Sequence, residues 1–218
     1  MSLERLFDVE ALASIQAAAD AAETRTAGEI VPYVVRRCDD YAEAAWTGAA
    51  LGALVAAGAA GLAHAWSDVW FGPLVAWITL PAFAGAAIGY LAGRFVPAVT
   101  RALTPPATLA RRAHVRAAAA FLEQEVFRTE ARTGILVFLA LFEHRAVVLG
   151  DAGINAKVSQ EAWQSVVDEL VAGIRAGRPA EAMVAAISAC GELLVAHGVA
   201  RSVEDTDELT DEVRLRDR

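Results

Sequence analysis

Between Ala44 and Gly93 the chain has no Lys, Arg or Glu, and the only charged residue in that stretch, Asp68, falls midway. An α-helix rises about 1.5 Å per residue, so some twenty residues cross a hydrocarbon core about 30 Å thick. Trp46 and Trp66 are separated by that many positions. The stretch therefore reads as a transmembrane hairpin: a first helix over residues 44–66, an external turn at 67–69 and a second helix over 70–93. Trp46, Trp66, Trp70 and Tyr90 fall where an interfacial aromatic belt belongs. Pro73 suits the first turn of the second helix, and Pro81 predicts a kink within it. His64 is expected at headgroup level near the outer end. The alternative, a hairpin buried in a large soluble core, lacks material, because 218 residues leave too little chain to cover two such helices.

Basic residues set the orientation. The turn has none; Arg36 and Arg37 precede the block, and Arg94, Arg101, Arg111, Arg112 and Arg116 follow it. By the positive-inside rule both flanks, and with them both termini, are expected in the cytoplasm and the short turn outside. The first residues, Met1 to Arg5, lack the basic and apolar regions of a cleavable signal, so the hairpin is expected to direct its own insertion. The net charge of −8 includes no concentrated basic face away from the membrane, which argues against nucleic-acid binding. Two isolated cysteines, Cys38 and Cys190, do not make a disulfide framework and read as reduced thiols.

The block is rich in small residues. Gly48 and Gly52 form one GxxxG; Gly85, Gly89 and Gly93 form two more in succession. Small residues at every fourth position allow backbones to approach closely where lipid supplies no hydrophobic drive. The simplest partner for each stripe is the other arm of the hairpin, and a homodimer is the second alternative.

Outside the block the chain alternates helical and extended patterns. Asp8 caps a helix from Val9 to about Thr24, and Glu29–Arg36 reads as a strand. Pro32 cannot donate to a ladder, so it is expected near the strand start or facing an edge. After Thr104-Pro105-Pro106 a long helix is predicted from about Leu109 to Arg132. The apolar run Gly134–Phe142 predicts a central strand covered on both faces, and Arg145–Leu149 returns antiparallel to it. Gly177 and Gly198 are expected to stop two final helices. The fold class is α/β, a small α/β/α sandwich with a mixed sheet (βαβ plus β-hairpin) interrupted by the two-helix transmembrane hairpin. Residues 1–43 and 104–200 form one discontinuous cytoplasmic domain, and 201–218 are expected as a charged, mobile tail.

Three pieces in this order resemble the TPM-domain family: Thr26-Ala27-Gly28-Glu29-Ile30 entering the first strand, Thr133-Gly134-Ile135-Leu136-Val137-Phe138 entering the second, and Gly150-Asp151-Ala152-Gly153-Ile154 after the third. The resemblance covers roughly residues 9–40 and 109–198. It implies a membrane-anchored α/β/α domain with either an accessory role toward membrane proteins or acid phosphatase activity. In the usual member the membrane helix lies at an end of the domain; here two helices interrupt it.

The chemistry that the residues themselves offer is sparse. The sequence has no phosphate loop, CxxC, HExxH or G-x-S-x-G, and His64, His114, His144 and His197 are scattered. The best constellation is acidic. Asp39 and Asp40 follow the first strand and Glu143 follows the second, at one sheet edge if the strands are parallel, and oxygen ligands of this kind suit Ca²⁺ or Mg²⁺. Helix caps and solvated loop charges are the alternative reading. Asp151 is expected at the opposite edge. Two functions remain: a binding, assembly or accessory module for other membrane proteins within the lipid bilayer, or, as the resemblance alone implies, a divalent-metal-dependent phosphatase.

Overall fold

The computed structural model describes residues 3–66, 74–159, 161–199 and 213–217. It divides into two compact units, residues 39–109 and a discontinuous unit made of 1–38 and 110–218.

The discontinuous unit is built on a four-stranded sheet in the order β3-β2-β1-β4. Strand β1 (Glu29–Val35) and strand β2 (Gly134–Ala140) are parallel, in register from Glu29 opposite Gly134 to Val35 opposite Ala140. Every residue of both is buried, as their β-branched and apolar composition requires of strands covered on two faces. Strand β3 (Arg145–Gly150) returns antiparallel to β2. Period-2 alternation divides the strand side chains between two cores. Ile30, Val34, Ile135, Val137 and Leu139 pack with helices α2 (Val9–Glu23), α8 (Gln164–Arg175) and α9 (Pro179–Ala196). Val31, Tyr33, Val35, Leu136 and Phe138 pack on the other side with Ala113, Ala117 and Ala120 of α6 (Pro106–Glu123). The result is the expected α/β/α sandwich with a mixed sheet.

Local signals account for most boundaries. The Asp8 carboxylate accepts the Ala11 N–H at 2.8 Å and starts α2. Gly177 and Gly198 take φ of +75° and +72° immediately beyond α8 and α9, a conformation that glycine adopts without steric cost. The Glu29 N–H donates to Thr133, so alternation turns Pro32 away from β2. On that side the described pairing with β4 begins at Tyr33.

Several features depart from the sequence reading. A short helix, α1 (Leu3–Leu6), precedes α2. The helix expected to reach Arg132 ends at Glu123; Glu125 turns left-handed at φ +53°, and a 3₁₀ turn covers Val126–Arg128. The stop carries no glycine, which is why the helical pattern gave no sign of it. Gly150–Gly153, which reads as a loop in sequence, opens a short helix, α7 (Ala152–Asn155). The expectation of a mobile tail is corrected at its end: Arg214–Arg216 form β4, parallel to β1. Alternation puts Leu215 on the apolar face while its arginine neighbours face the other way, so a charged segment still has one side to bury. Residues 201–212 of that tail lie outside the described residues.

The second unit contains α3 (Ala42–Trp66), α4 (Leu74–Phe95) and α5 (Pro97–Leu103). The expected turn at 67–69, with Trp70 and Pro73, lies outside the described residues. Three described helices are long and apolar enough to cross a membrane, namely residues 42–66, 75–95 and 179–196. Burial separates them: the apolar windows of the first two are 6% and 0% buried, and that of the third is 39% buried. The third is α9, whose Met183, Ile187 and Leu194 belong to the α/β core.

Candidate functional site

Within the hairpin the two small-residue stripes face each other. A Cβ built on Gly48 would lie 2.3 Å from the Gly89 carbonyl oxygen, and one on Gly89 would lie 2.0 Å from that of Gly48. Gly52 and Gly85 meet in the same way at 2.1 and 2.3 Å, and Gly93 meets the Ala44 oxygen at 2.6 Å. Pairs 44/93, 48/89 and 52/85 step along one antiparallel register, four residues at a time. The next step brings Ala56 opposite Pro81, and the one after brings Ala60 opposite Trp77, whose indole N–H donates to the Ala60 carbonyl at 3.2 Å. At the Ala44 end, Trp46 and Tyr90 make an edge-to-face contact with ring centroids 5.3 Å apart. The glycine seam is thus used within the chain, between the two arms. Gly58 and Gly61 lie off it, with nothing within 4 Å of an added Cβ.

Glu143 is buried in the turn between β2 and β3, where its carboxylate accepts the Cys38 N–H at 2.8 Å. The parallel pairing therefore brings the carboxyl ends of β1 and β2 to one edge, and Glu143 ties them. Beside it the Arg37 guanidinium stacks 4.4 Å from the Phe142 ring centroid. Asp39 and Asp40 belong to the other unit, where the Asp39 carboxylate accepts the Asp40 N–H at 2.7 Å. Among the described residues no group of three or more His, Cys, Asp or Glu is gathered that could hold a metal ion.

At the opposite edge of the sheet lies a pair that the sequence reading did not assemble. Asp151 is 6% exposed, and its backbone N–H donates to Gly134 at the start of β2. Arg132 reaches it through two hydrogen bonds: Nη2 donates to Oδ1 at 2.9 Å, and Nε donates to Oδ2. The same carboxylate caps α7 by accepting the Ala152 N–H at 2.7 Å. These donors, with the Arg132 guanidinium foremost, hold the Asp151 carboxyl below the usual carboxylate range. Arg132 itself sits in the left-handed region at φ +57°, and its carbonyl accepts the Gly153 N–H at 2.9 Å. A Cβ at Gly153 would lie 2.4 Å from the Ala131 oxygen, so this corner closes only with glycine. Its bidentate pair and its cap are both made within the chain, the arrangement of a structural clamp. The Gly150-Asp151-Ala152-Gly153 signature marks the loop in sequence, but nothing local points to Arg132.

The family model of the TPM domain matches residues 100–193. The span takes in all of α6, the β2–β3 hairpin, the Arg132–Asp151 corner, α8 and the greater part of α9. The first piece of the resemblance, residues 9–40, lies outside it. No curated protein matches the chain. The NMR structure of the BA42 protein from the psychrophilic bacterium Bizionia argentinensis sp. nov. is similar in fold, with a TM-score of 0.59 and 17% identity over 98% of each chain.

Proposed function

We propose, on the premise that this chain belongs to the TPM-domain family through residues 100–193, that it is a membrane-anchored binding and assembly module for other membrane proteins. In this reading the hairpin of α3 and α4 spans the bacterial inner membrane, and the α/β/α unit and both termini are cytoplasmic. The observation that carries the reading is the glycine seam. It makes the hairpin self-sufficient and leaves Leu54, Val55, Leu62, Leu80, Phe83 and Ile88 exposed on its outer surface. Such a surface can rest against lipid or against the helices of a neighbouring membrane protein. The use of Asp151 as a helix cap and of Glu143 as an acceptor for the Cys38 backbone supports a structural role for those two carboxylates.

Crosslinking in native membranes, followed by identification of the captured species, tests the proposal. One reproducible membrane-protein partner, lost when the exposed hairpin residues are replaced, is the expected result. A catalytic reading would replace this one if the purified protein hydrolysed p-nitrophenyl phosphate with added Ca²⁺ or Mg²⁺ and the Asp39→Ala/Asp40→Ala variant did not. Reporters fused at residues 1 and 218 test the orientation, and either one appearing outside would overturn it.

A further inference from the structure

The edge of β1 that faces β4 is already furnished except over a short length. At its start the Glu23 carboxylate accepts the Ile30 N–H at 2.7 Å, and Pro32 has no N–H to offer. From Tyr33 onward β4 supplies the pairing, with Tyr33 opposite Arg214, Val34 opposite Leu215 and Val35 opposite Arg216, and the Arg36 N–H donates to the Arg216 carbonyl at 3.0 Å. The slot therefore has a closed upstream end and a fixed register. Its two faces differ. Val213 and Leu215 pack against the apolar core shared with α2, α8 and α9. On the other face the Arg214 Nε donates to the Gln124 Oε1 at 2.9 Å. At the exit, Arg36 pairs with Asp217 at 3.2 Å.

The occupant is weakly held. β4 has three residues, none of them fully buried, and its ion pair is exposed at both ends. Short strands with few buried contacts belong to the low-stability end of a domain's opening equilibria. It is also chemically specific: apolar, polar, apolar, polar, acidic, running parallel to β1.

We propose that β4 is a self-bound strap occupying a strand-docking slot on β1, and that the slot accepts in its place an extended segment of a membrane-protein partner with the same alternation, two apolar residues two apart followed at the second position by a carboxylate. The mode is β-augmentation: main-chain pairing gives the grip and alternate side chains give the choice. The proposal rests on the binding-module reading and names the surface that would serve it.

The test uses the full chain in detergent micelles, the same chain ended after residue 212, and a full-length Leu215→Asp variant that opens the slot without shortening the chain. The probe is a fluorescent synthetic peptide of residues 211–218, read by anisotropy. A tethered strand competes at an effective concentration in the millimolar range. Both opened chains are therefore expected to bind the peptide saturably and at least tenfold more tightly than the intact chain does. A peptide carrying Leu215→Asp should lose at least tenfold against either. The proposal is overturned if the opened chains keep the intact thermal transition and bind no peptide, or if all three chains bind alike. It is overturned equally if both opened chains lose their thermal transition, because β4 would then be a fixed part of the core. Its failure is separable from that of the module reading: a partner crosslinked in membranes but not displaced by the peptide docks elsewhere, and the module reading survives.

Discussion

Alanine at Gly89 gives the sharpest test of the hairpin. The added Cβ would lie 2.0 Å from the Gly48 carbonyl oxygen, a backbone atom that no rotamer change can move aside. Relief requires the two helices to separate by about 1 Å, and a gap of that size forfeits roughly a quarter to a half of each dispersion contact along the seam. The cost expected for overfilling a tight interface is about 1–3 kcal/mol. Alanine also gains about 1 kcal/mol of helix propensity over glycine, which would obscure the loss if the variant were read alone. Gly58→Ala and Gly61→Ala make the same gain with nothing within 4 Å to meet, so they isolate the seam contribution. The assay is SDS titration in mixed micelles, followed by energy transfer between labels at the exposed positions Leu51 and Ile88, one on each arm. Gly48→Ala, Gly85→Ala and Gly89→Ala should separate the arms at lower SDS than the two off-seam variants. The Gly48→Ala/Gly89→Ala double variant should cost less than the sum of its parts, because the first substitution already parts the contact that the second would clash with. Equal midpoints for seam and off-seam variants would refute the reasoning.

Asp151→Asn keeps an N-cap for α7 but loses the ionic partner of Arg132. At pH 7 a loss of about 1 kcal/mol is expected, small because Arg132 is largely exposed. The Asp151 pKa is depressed in the folded state, so its contribution is present above the unfolded carboxylate range, near 4, and is lost as pH falls through the folded value. Melting temperatures of variant and wild type should therefore converge in acid, and a gap unchanged down to pH 2 would count against the pair. Burial pushes the Cys190 thiol up to about 12, so one thiol, that of the half-buried Cys38, should react with a thiol reagent at pH 8 in the folded chain and two in the unfolded chain. Trp77→Phe removes the indole donor to Ala60 and should lower the SDS midpoint by about 0.6 kcal/mol, the usual worth of an interhelical hydrogen bond in lipid.

The fold was legible wherever a period or a charge gap spoke for itself. The run Glu29–Arg36 foretold a strand and the run Gly134–Phe142 a central strand covered on both faces, observed as Glu29–Val35 and Gly134–Ala140, and Gly177 and Gly198 foretold two helix ends. What the sequence hid were features set by single residues against their local pattern. Glu125 leaves the helix left-handed with no glycine to announce it, because the chain must turn there for Val126 to enter the core beneath β2. Arg214–Arg216 reads as a charged tail until Leu215 finds an apolar face across a gap of some 180 residues from Val34, a pairing no local pattern encodes. The acidic candidates were read from their place after the strands, which the parallel register bears out for Glu143, but position did not reveal that its carboxylate serves the Cys38 backbone. Arg132 and Asp151 lie nineteen residues apart and meet only because β2 and β3 fold back on each other.

The interruption of the domain has a consequence for how it folds. β1 is complete by Val35, yet its parallel partner begins at Gly134, with the whole hairpin between them. For a flexible loop the cost of bringing such distant ends together grows as three halves of RT times the logarithm of its length, about 4 kcal/mol for a hundred residues. The hairpin is not such a loop. Gly93 packs on Ala44, so the chain leaves the apolar pair of helices beside the point at which it entered them. Once the seam forms, the effective loop between β1 and β2 shrinks by roughly half, to residues 36–43 and 94–133, which lowers the closure cost by about 0.6 kcal/mol. Seam and sheet are then coupled. A seam variant such as Gly89→Ala should weaken pairing of β1 with β2 slightly, visible as amide exchange up to about threefold faster across residues 135–139. Exchange there at the wild-type rate, with the seam demonstrably loosened, would show that the sheet closes without the help of the hairpin.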